Sequence, residues 1–224
     1  AVWDDGGGSL WASTFGGLSR FDKKTETFTR YTHDPDDPDS IGFNKNSCVF
    51  EDSTGNFWVT GFTDGMDKLD RETGRFRHFS RRTGFPAVGI NRTIQEDNDG
   101  NLWIGTSDAG LIKFDIKTET VVAVYTKSDG LQSNTFWTSC KTEDGRMWFG
   151  GGFGLNSFYP EDVTDNPYIP PVVLTAFRQG GEDIDLGMAP ERLREIRLDW
   201  TANFFEFQFA ALNYTRPEKN QYAY

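Results

Sequence analysis

Cysteine, histidine and methionine are scarce in this chain of 224 residues, at two, two and three copies. The histidines, His33 and His78, lie in unlike settings, one before an acidic loop and one in a β-type run. No Gly-x-Ser-x-Gly or His-Glu-x-x-His phrase accompanies them, so no catalytic constellation is expected. Long apolar runs are also missing. Nothing approaches the ~20 residues that span a bilayer, and the N-terminus has neither the basic nor the apolar region of a signal peptide. Positive charge is in deficit: the formal net charge is -11, a field that repels phosphate backbones and disfavours nucleic acid as a partner. Helical periodicity is rare as well. What the chain has instead is glycine and aromatic residues (15%), the composition of an all-β protein with a sizeable core.

One phrase occurs four times: Gly8-Ser-Leu-Trp11, Gly55-Asn-Phe-Trp58, Gly100-Asn-Leu-Trp103 and Gly145-Arg-Met-Trp148. The tryptophans are 47, 45 and 45 residues apart. A fixed period of that size marks a repeat architecture. A second anchor follows each tryptophan, at Gly17-Leu-Ser-Arg-Phe-Asp22, Gly65-Met-Asp-Lys-Leu-Asp70, Gly110-Leu-Ile-Lys-Phe-Asp115 and Gly154-Leu-Asn-Ser-Phe-Tyr159. In the first three copies a turn segment (Asp22 to Thr27, Asp70 to Arg75, Asp115 to Thr120) then leads into a run ending near Tyr31, Phe79 or Tyr125. Each period thus holds four short antiparallel strands joined by Gly and Asn turns, which is the blade of a β-propeller.

In the second copy the strands are expected at Cys48 to Asp52, Asn56 to Phe62, Met66 to Asp70 and Phe76 to Ser80. The fourth copy has its first three, at Phe136 to Lys141, Met147 to Gly150 and Leu155 to Tyr159. Pro160, Pro167, Pro170 and Pro171 follow, and proline cannot donate to a ladder, so this blade is expected to lack its outer strand. With residues 1 to 31 filling their own blade, the repeats are read as the C-terminal part of a larger ring. Cys48 and Cys140 share one repeat position in non-adjacent blades, which leaves them too far apart for a disulfide. Both are expected as buried free thiols. The four repeat tryptophans are expected in the core.

From Val172 the repeat is gone. Strands are expected at Val172 to Phe177, Glu195 to Asp199 and Phe204 to Ala210, where Phe205, Phe207 and Phe209 alternate with Glu206 and Gln208 as a half-buried strand does. The expected organisation is all-β. Residues 1–165 form a partial β-propeller of four-stranded blades, and residues 166–224 begin a β-sandwich (Ig-like) domain that is incomplete.

Glu96-Asp-Asn-Asp-Gly-Asn-Leu-Trp-Ile-Gly-Thr106 with Gly110-Leu-Ile-Lys-Phe-Asp115 resembles the two-component-regulator propeller repeat. Phe149-Gly-Gly-Gly-Phe-Gly-Leu-Asn-Ser-Phe-Tyr-Pro160 resembles the last such repeat. Phe205-Glu-Phe-Gln-Phe-Ala-Ala-Leu-Asn-Tyr214 with Pro217-Glu-Lys-Asn-Gln-Tyr222 is similar to the opening of the tyrosine-rich (Y_Y_Y) sandwich module that follows it. The resemblance implies a periplasmic or extracellular sensor region of a two-component system. It would be anchored by a membrane segment outside these residues, would signal to a cytoplasmic output domain and would in many cases respond to oligosaccharides. The family usually has more than four repeats, and neither a membrane helix nor an output domain lies within this chain.

The acidic turns Asp97-Asn-Asp-Gly100, Glu51-Asp-Ser-Thr-Gly55 and Glu143-Asp-Gly145, like the run Asp34-Pro-Asp-Asp-Pro-Asp39, invite a calcium reading. The turns lack a later bidentate glutamate, and Asp and Asn favour such turns by their own hydrogen bonds. The Asp34–Asp39 run resembles a metal cluster only by count, since two prolines and consecutive acids make a solvated, extended loop. No metal and no cofactor is therefore expected. Topology places the candidate site better than motif does. Turns after each second strand share a face with the loops between blades, and those loops (Tyr31 to Asn46, Ser80 to Arg92, Thr126 to Trp137) are long and irregular. Variable loops on a constant scaffold carry binding function. The candidate ligand-binding residues there are Asn44, Lys45, Phe62, Asp64, Asn91, Arg92, Asp108, Trp137 and Phe153. The expected partner is a small molecule or oligosaccharide, and a homodimer is compatible with the reading. The competing readings are a propeller-type lyase or glycosidase, for which Asp64 and Asp108 are the one tempting carboxylate pair, and a protein-interaction scaffold.

Overall fold

The computed structural model describes residues 1–62, 65–86, 91–164, 171–184, 195 and 204–212. The chain divides into two compact units, Ala1–Thr164 and Asp165–Tyr224. The first unit is a row of blades. Blade 1 comprises β1 (Val2–Asp4), β2 (Ser9–Thr14), β3 (Gly17–Asp22) and β4 (Thr27–Tyr31). Blade 2 comprises β5 (Asn46–Glu51), β6 (Phe57–Gly61), β7 (Met66–Leu69) and β8 (Phe76–Phe79). Blade 3 comprises β9 (Asn91–Glu96), β10 (Asn101–Thr106), β11 (Leu111–Asp115) and β12 (Thr120–Tyr125). Each is an antiparallel sheet in sequence order. Blade 4 has three strands among the described residues: β13 (Thr138–Lys141), β14 (Met147–Gly151) and β15 (Gly154–Phe158). Pro160–Asp162 forms a 3₁₀ turn, and residues 165–170 lie outside the described set.

The acidic turns hold the repeat tryptophans. Asp52 Oδ1 accepts the backbone N–H of Thr54 and of Asn56, while Oδ2 accepts the Asn56 amide and, at 2.7 Å, the Trp58 indole N–H. Asp97 accepts from Trp103 at 2.9 Å and Asp5 from Trp11 at 3.3 Å. A buried indole N–H needs such a partner, and the carboxylate that supplies it is occupied by the turn it organises. Burial opposes ionisation of Asp52, but the bonds from Trp58, Asn56 and Thr54 prevail and hold its carboxyl below the ordinary value. In blade 4 the corresponding residue is Thr142.

Trp11, Trp58 and Trp103 each then pack between a ring of their own blade and one of the next. Trp11 stacks on Tyr31 of its own outer strand at 6.0 Å and touches Phe57 of the next blade at 4.5 Å. Trp58 packs on Phe79 and on Phe114, and Trp103 on Tyr125 and Phe158. Cross-strand cations also lie over these rings: Arg20 over Trp11, Lys68 over Trp58 and Lys113 over Trp103. In blades 1 to 3 the glycine at the start of the third strand is fixed by close approach to an outer-strand carbonyl. A Cβ on Gly65 would stand 1.9 Å from the Phe79 carbonyl oxygen, and one on Gly110 the same distance from that of Tyr125.

Two sequence expectations change at the end of the row. Trp148 is half-buried, whereas Trp11, Trp58 and Trp103 are fully buried. Among the described residues no blade packs beyond it and no outer strand shields it; Arg146 lies over its ring instead. Both cysteines are free, but Cys140 is exposed. Cys48 is partly covered where β5 packs on β9, and burial pushes its thiol up to about 11; β13 has no described neighbour on that side.

In the second unit β16 (Val172–Gln179) lies between β17 (Glu182–Asp183) and β18 (Phe205–Ala211) in an antiparallel sheet. Phe177 is buried against Phe205 and Phe207, while Phe205, Phe207 and Phe209 stay about half exposed. The expected strand from Glu195 to Asp199, apart from Glu195, and the motif residues from Asn213 to Tyr222 fall outside the described residues.

Candidate functional site

Hydrogen bonds show how the loops share a face. The turn after β2 is tied to the loop between blades 1 and 2 by Gly17 N–H donating to the Asn44 carbonyl, and the residue after β6 is tied to the same loop by Phe62 N–H donating to the Lys45 carbonyl. The same pattern recurs one blade pair later, where Gly110 N–H donates to Asn134 and Phe136 N–H to Thr106. Turns after second strands and loops between blades therefore form one rim.

Two aromatic groups stand on it. In the first, Phe62 meets Phe15 edge to face at 5.3 Å, and the Arg92 guanidinium lies over the Phe62 ring at 5.5 Å. Phe15 is 69% and Phe62 37% exposed. The Nε of Arg92 is buried and has no hydrogen-bond partner among the described residues. In the second group the Trp137 ring lies against Gly152, where an added Cβ would stand 3.1 Å from it, beside Phe153; Trp137 and Phe153 are 57% and 79% exposed. Flat apolar faces next to a planar donor suit ring-shaped, hydroxyl-bearing ligands.

The remaining candidates are placed as follows. Asn44 and Lys45 are exposed, and their carbonyls fasten the rim; Asn44 Oδ1 also accepts the His33 N–H. Asn91 pairs with Thr106 through the backbone at the start of β9. Asp108 is exposed on the turn after β10, whose Ser107 carbonyl accepts the Thr135 hydroxyl. Asp64 lies outside the described residues, so the carboxylate pair it would form with Asp108 is not described either. Phe15 was missed by sequence reasoning. It stands four residues after Trp11, as Phe62 does after Trp58, and aligning the repeats on tryptophan finds it.

A cavity of about 330 Å³ lies between the loop that joins blades 1 and 2 and the outer half of blade 2. Asp67 is buried; its Oδ2 accepts the Gly42 N–H and its Oδ1 meets His78 Nδ1 at 2.7 Å, while His78 Nε2 meets the Pro38 carbonyl at 2.9 Å. The Asp67 hydrogen bond raises the His78 pKa against the opposing effect of burial. The acids of the loop are engaged locally: Asp34 accepts the Asp36 N–H, Asp37 the Asp39 N–H, and Asp39 pairs with Arg75.

Comparison with known proteins bears on this architecture. Residues 84–108 and 130–153 match the two component regulator propeller family model. The matched segments cover the turns and second strands of blades 3 and 4 that build the rim. Histidine kinase P4 of Formosa agariphila is 33% identical over 112 residues, which is 46% of this chain and 8% of the kinase. Among solved structures, the extracellular domain assigned to the hybrid two component system BT3049 of B. thetaiotaomicron superimposes with a TM-score of 0.65 at 26% identity, over 76% of this chain and 24% of that one. The corresponding domain of BT4673 gives 0.56 at 17% identity, over 93% and 27%, a likeness of fold alone. The chain thus spans about a quarter of each solved relative and less than a tenth of the kinase.

Proposed function

We propose that this chain is part of the extracytoplasmic ligand-sensing region of a two-component-type receptor. In this reading the rim binds a small ligand, an oligosaccharide in the first instance, and the second unit, read as the start of a sandwich module, relays binding toward a membrane-linked output domain. The observation that carries the reading is the joint presence, on one rim, of exposed aromatic faces and Arg92, in a chain similar to the extracellular domains of hybrid two component systems. Proteins that recognise sugars without turning them over need stacking platforms and planar donors but no paired acid and base. The reading is accordingly non-enzymatic.

The test is a titration of neutral and acidic oligosaccharides, followed by tryptophan fluorescence and calorimetry, against the wild-type protein and Phe62→Ala, Arg92→Ala and Trp137→Ala. Saturable binding without product, weakened about tenfold or more by at least one of these changes, supports the rim. Unchanged affinity in all three places the site elsewhere, and product formation replaces the sensor with an enzyme.

A further inference from the structure

Both ring nitrogens of His78 face acceptors. Nδ1 stands 2.7 Å from Asp67 Oδ1 on β7, and Nε2 stands 2.9 Å from the Pro38 carbonyl in the loop that joins blades 1 and 2. An ionised carboxylate and a carbonyl offer no proton, so the two bonds coexist only when each ring nitrogen carries one, which is the imidazolium form. The Asp67 hydrogen bond outweighs burial and raises the His78 pKa above its ordinary 6.5.

The loop is fastened at this pair and ends at the rim. Gly42 N–H donates to Asp67 Oδ2 at 2.7 Å, and a Cβ on Gly42 would stand 3.0 Å from both Asp67 Oδ1 and His78 Nδ1. Two residues later the Asn44 carbonyl accepts the Gly17 N–H at 2.8 Å, and the Lys45 carbonyl accepts the Phe62 N–H at 2.9 Å. His78 thus stands at one end of a short path whose other end holds the aromatic rim. The charges that surround it are mostly negative. Asp67 faces it from β7 and Asp39 from the loop, while Asp34, Asp37 and His33 line the same cavity. Arg75 is paired with Asp39. Lys68 and Arg77 alternate with Asp67 and His78 along their strands, so they project from the opposite face, where both meet Glu119.

We propose that His78 is a pH-operated clasp on the 32–45 loop: as an imidazolium it locks the loop to blade 2, and on losing a proton it releases Pro38 and loosens the rim bonds of Asn44 and Lys45. The neutral ring keeps one N–H, which the charged acceptor Asp67 retains, so Nε2 turns a lone pair toward the Pro38 carbonyl. Because the bound proton favours the closed form, the clasp is shut in acid and opens as pH rises through the raised value. Blades 1 and 3 carry Arg30 and Val124 at this position, opposite Ser19 and Ile112, so the device belongs to one blade. The inference does not depend on what the rim binds.

The test is a pH titration of the ¹⁵N-labelled chain from about pH 5 to about pH 8, spanning the ordinary range of histidine. The ring shifts report the protonation of His78. Amide exchange, corrected for its intrinsic pH dependence, reports Gly17 and Phe62. Their protection should fall about tenfold across the His78 titration, the worth of one hydrogen bond to a charged group. Gly110 and Phe136 make the matching bonds between blades 3 and 4 with no histidine at the clasp position, so their protection should not change. His78→Arg keeps a charge and two donors, and should hold protection high throughout. Asp67→Asn keeps an acceptor for Gly42 and should move both the titration and the loss of protection to lower pH. The proposal is overturned by a His78 that titrates at or below 6.5. It is overturned equally if Gly17 and Phe62 follow no titration, or fall as far in His78→Arg as in the wild type. Should a variant fail to fold, the wild-type contrast between the two pairs of amides decides alone.

Discussion

Trp58 and Trp148 stand in the same phrase and pair with the same strand of their blades, but the first is fully buried and the second half-covered. The contrast extends along the strands that carry them. All five residues of β6 are buried, as are five of the six in β10, because the middle blades have a neighbour on each face. In β2 and β14 buried and open positions alternate for most of the strand, since among the described residues blades 1 and 4 each pack against one neighbouring blade. An identical motif therefore acquires its stability from its neighbours rather than from itself. That is the expected behaviour of a stack of repeats, where interface terms rival the intrinsic ones.

The largest expected effect separates these two tryptophans. Trp58→Ala should destabilise the first unit by ~3–5 kcal/mol, the range for deleting a large buried aromatic. Trp148→Ala should cost well under half of that, and Trp137→Ala less again because its ring is mostly solvated. Denaturant midpoints of the three variants give the order directly, and equal shifts for Trp58→Ala and Trp148→Ala would break the contrast.

A smaller effect sharpens it through pH. The Asp52 carboxyl is held below its ordinary 3.8, so its stabilising contribution is present above that value and is lost as pH falls through the lowered one. Asp52→Asn should cost ~1–3 kcal/mol at neutral pH, as for hydrogen bonds to a charged group. The gap from wild type should close below pH 3.8. Blade 4, with Thr142 at this position, has no such carboxylate to lose. Urea melts between pH 2 and pH 7 measure the gap, and a constant difference would deny Asp52 its role.

The smallest effect concerns two residues in the left-handed region, Glu26 (φ 53°) and Glu119 (φ 54°), at the turn position where blade 2 has Gly74. Glu26→Gly should stabilise by about 1 kcal/mol by releasing that strain. Glu119 also pairs with Lys68 and Arg77 of blade 2, so Glu119→Gly should gain less, by about 0.5–1 kcal/mol, the scale of partly exposed ion pairs. Thermal midpoints of the single variants test the difference.

The sequence made the blades legible because period, turn glycine and aromatic spacing are all local signals. It disclosed the rim in part: loop irregularity pointed to Phe62, Arg92 and Trp137, while Phe15 needed the repeats aligned on tryptophan. It misjudged Trp148 and Cys140 because burial there depends on which blade stands next, and identical residues read identically wherever they fall in the row. The pairing of Asp67 with His78 and the amide of Asn156, whose Nδ2 has no partner among the described residues, were invisible for a related reason. Both depend on which residue a neighbouring strand sets opposite, and adjacency across strands is not written in either strand alone.

The contacts that join the blades run from each to the next. Ser53 donates to Glu96, Gln95 to Ser139, and Lys141 to the Glu96 carbonyl and to Asn98. Such a row has a modular grammar. A cassette of about 45 residues could be duplicated, deleted or exchanged by recombination, and its neighbours would meet the same kind of surface as before. Rim residues would travel with their cassette while the tryptophan lattice stayed constant, so recognition could be reshuffled among descendants of one gene without a new fold having to be found.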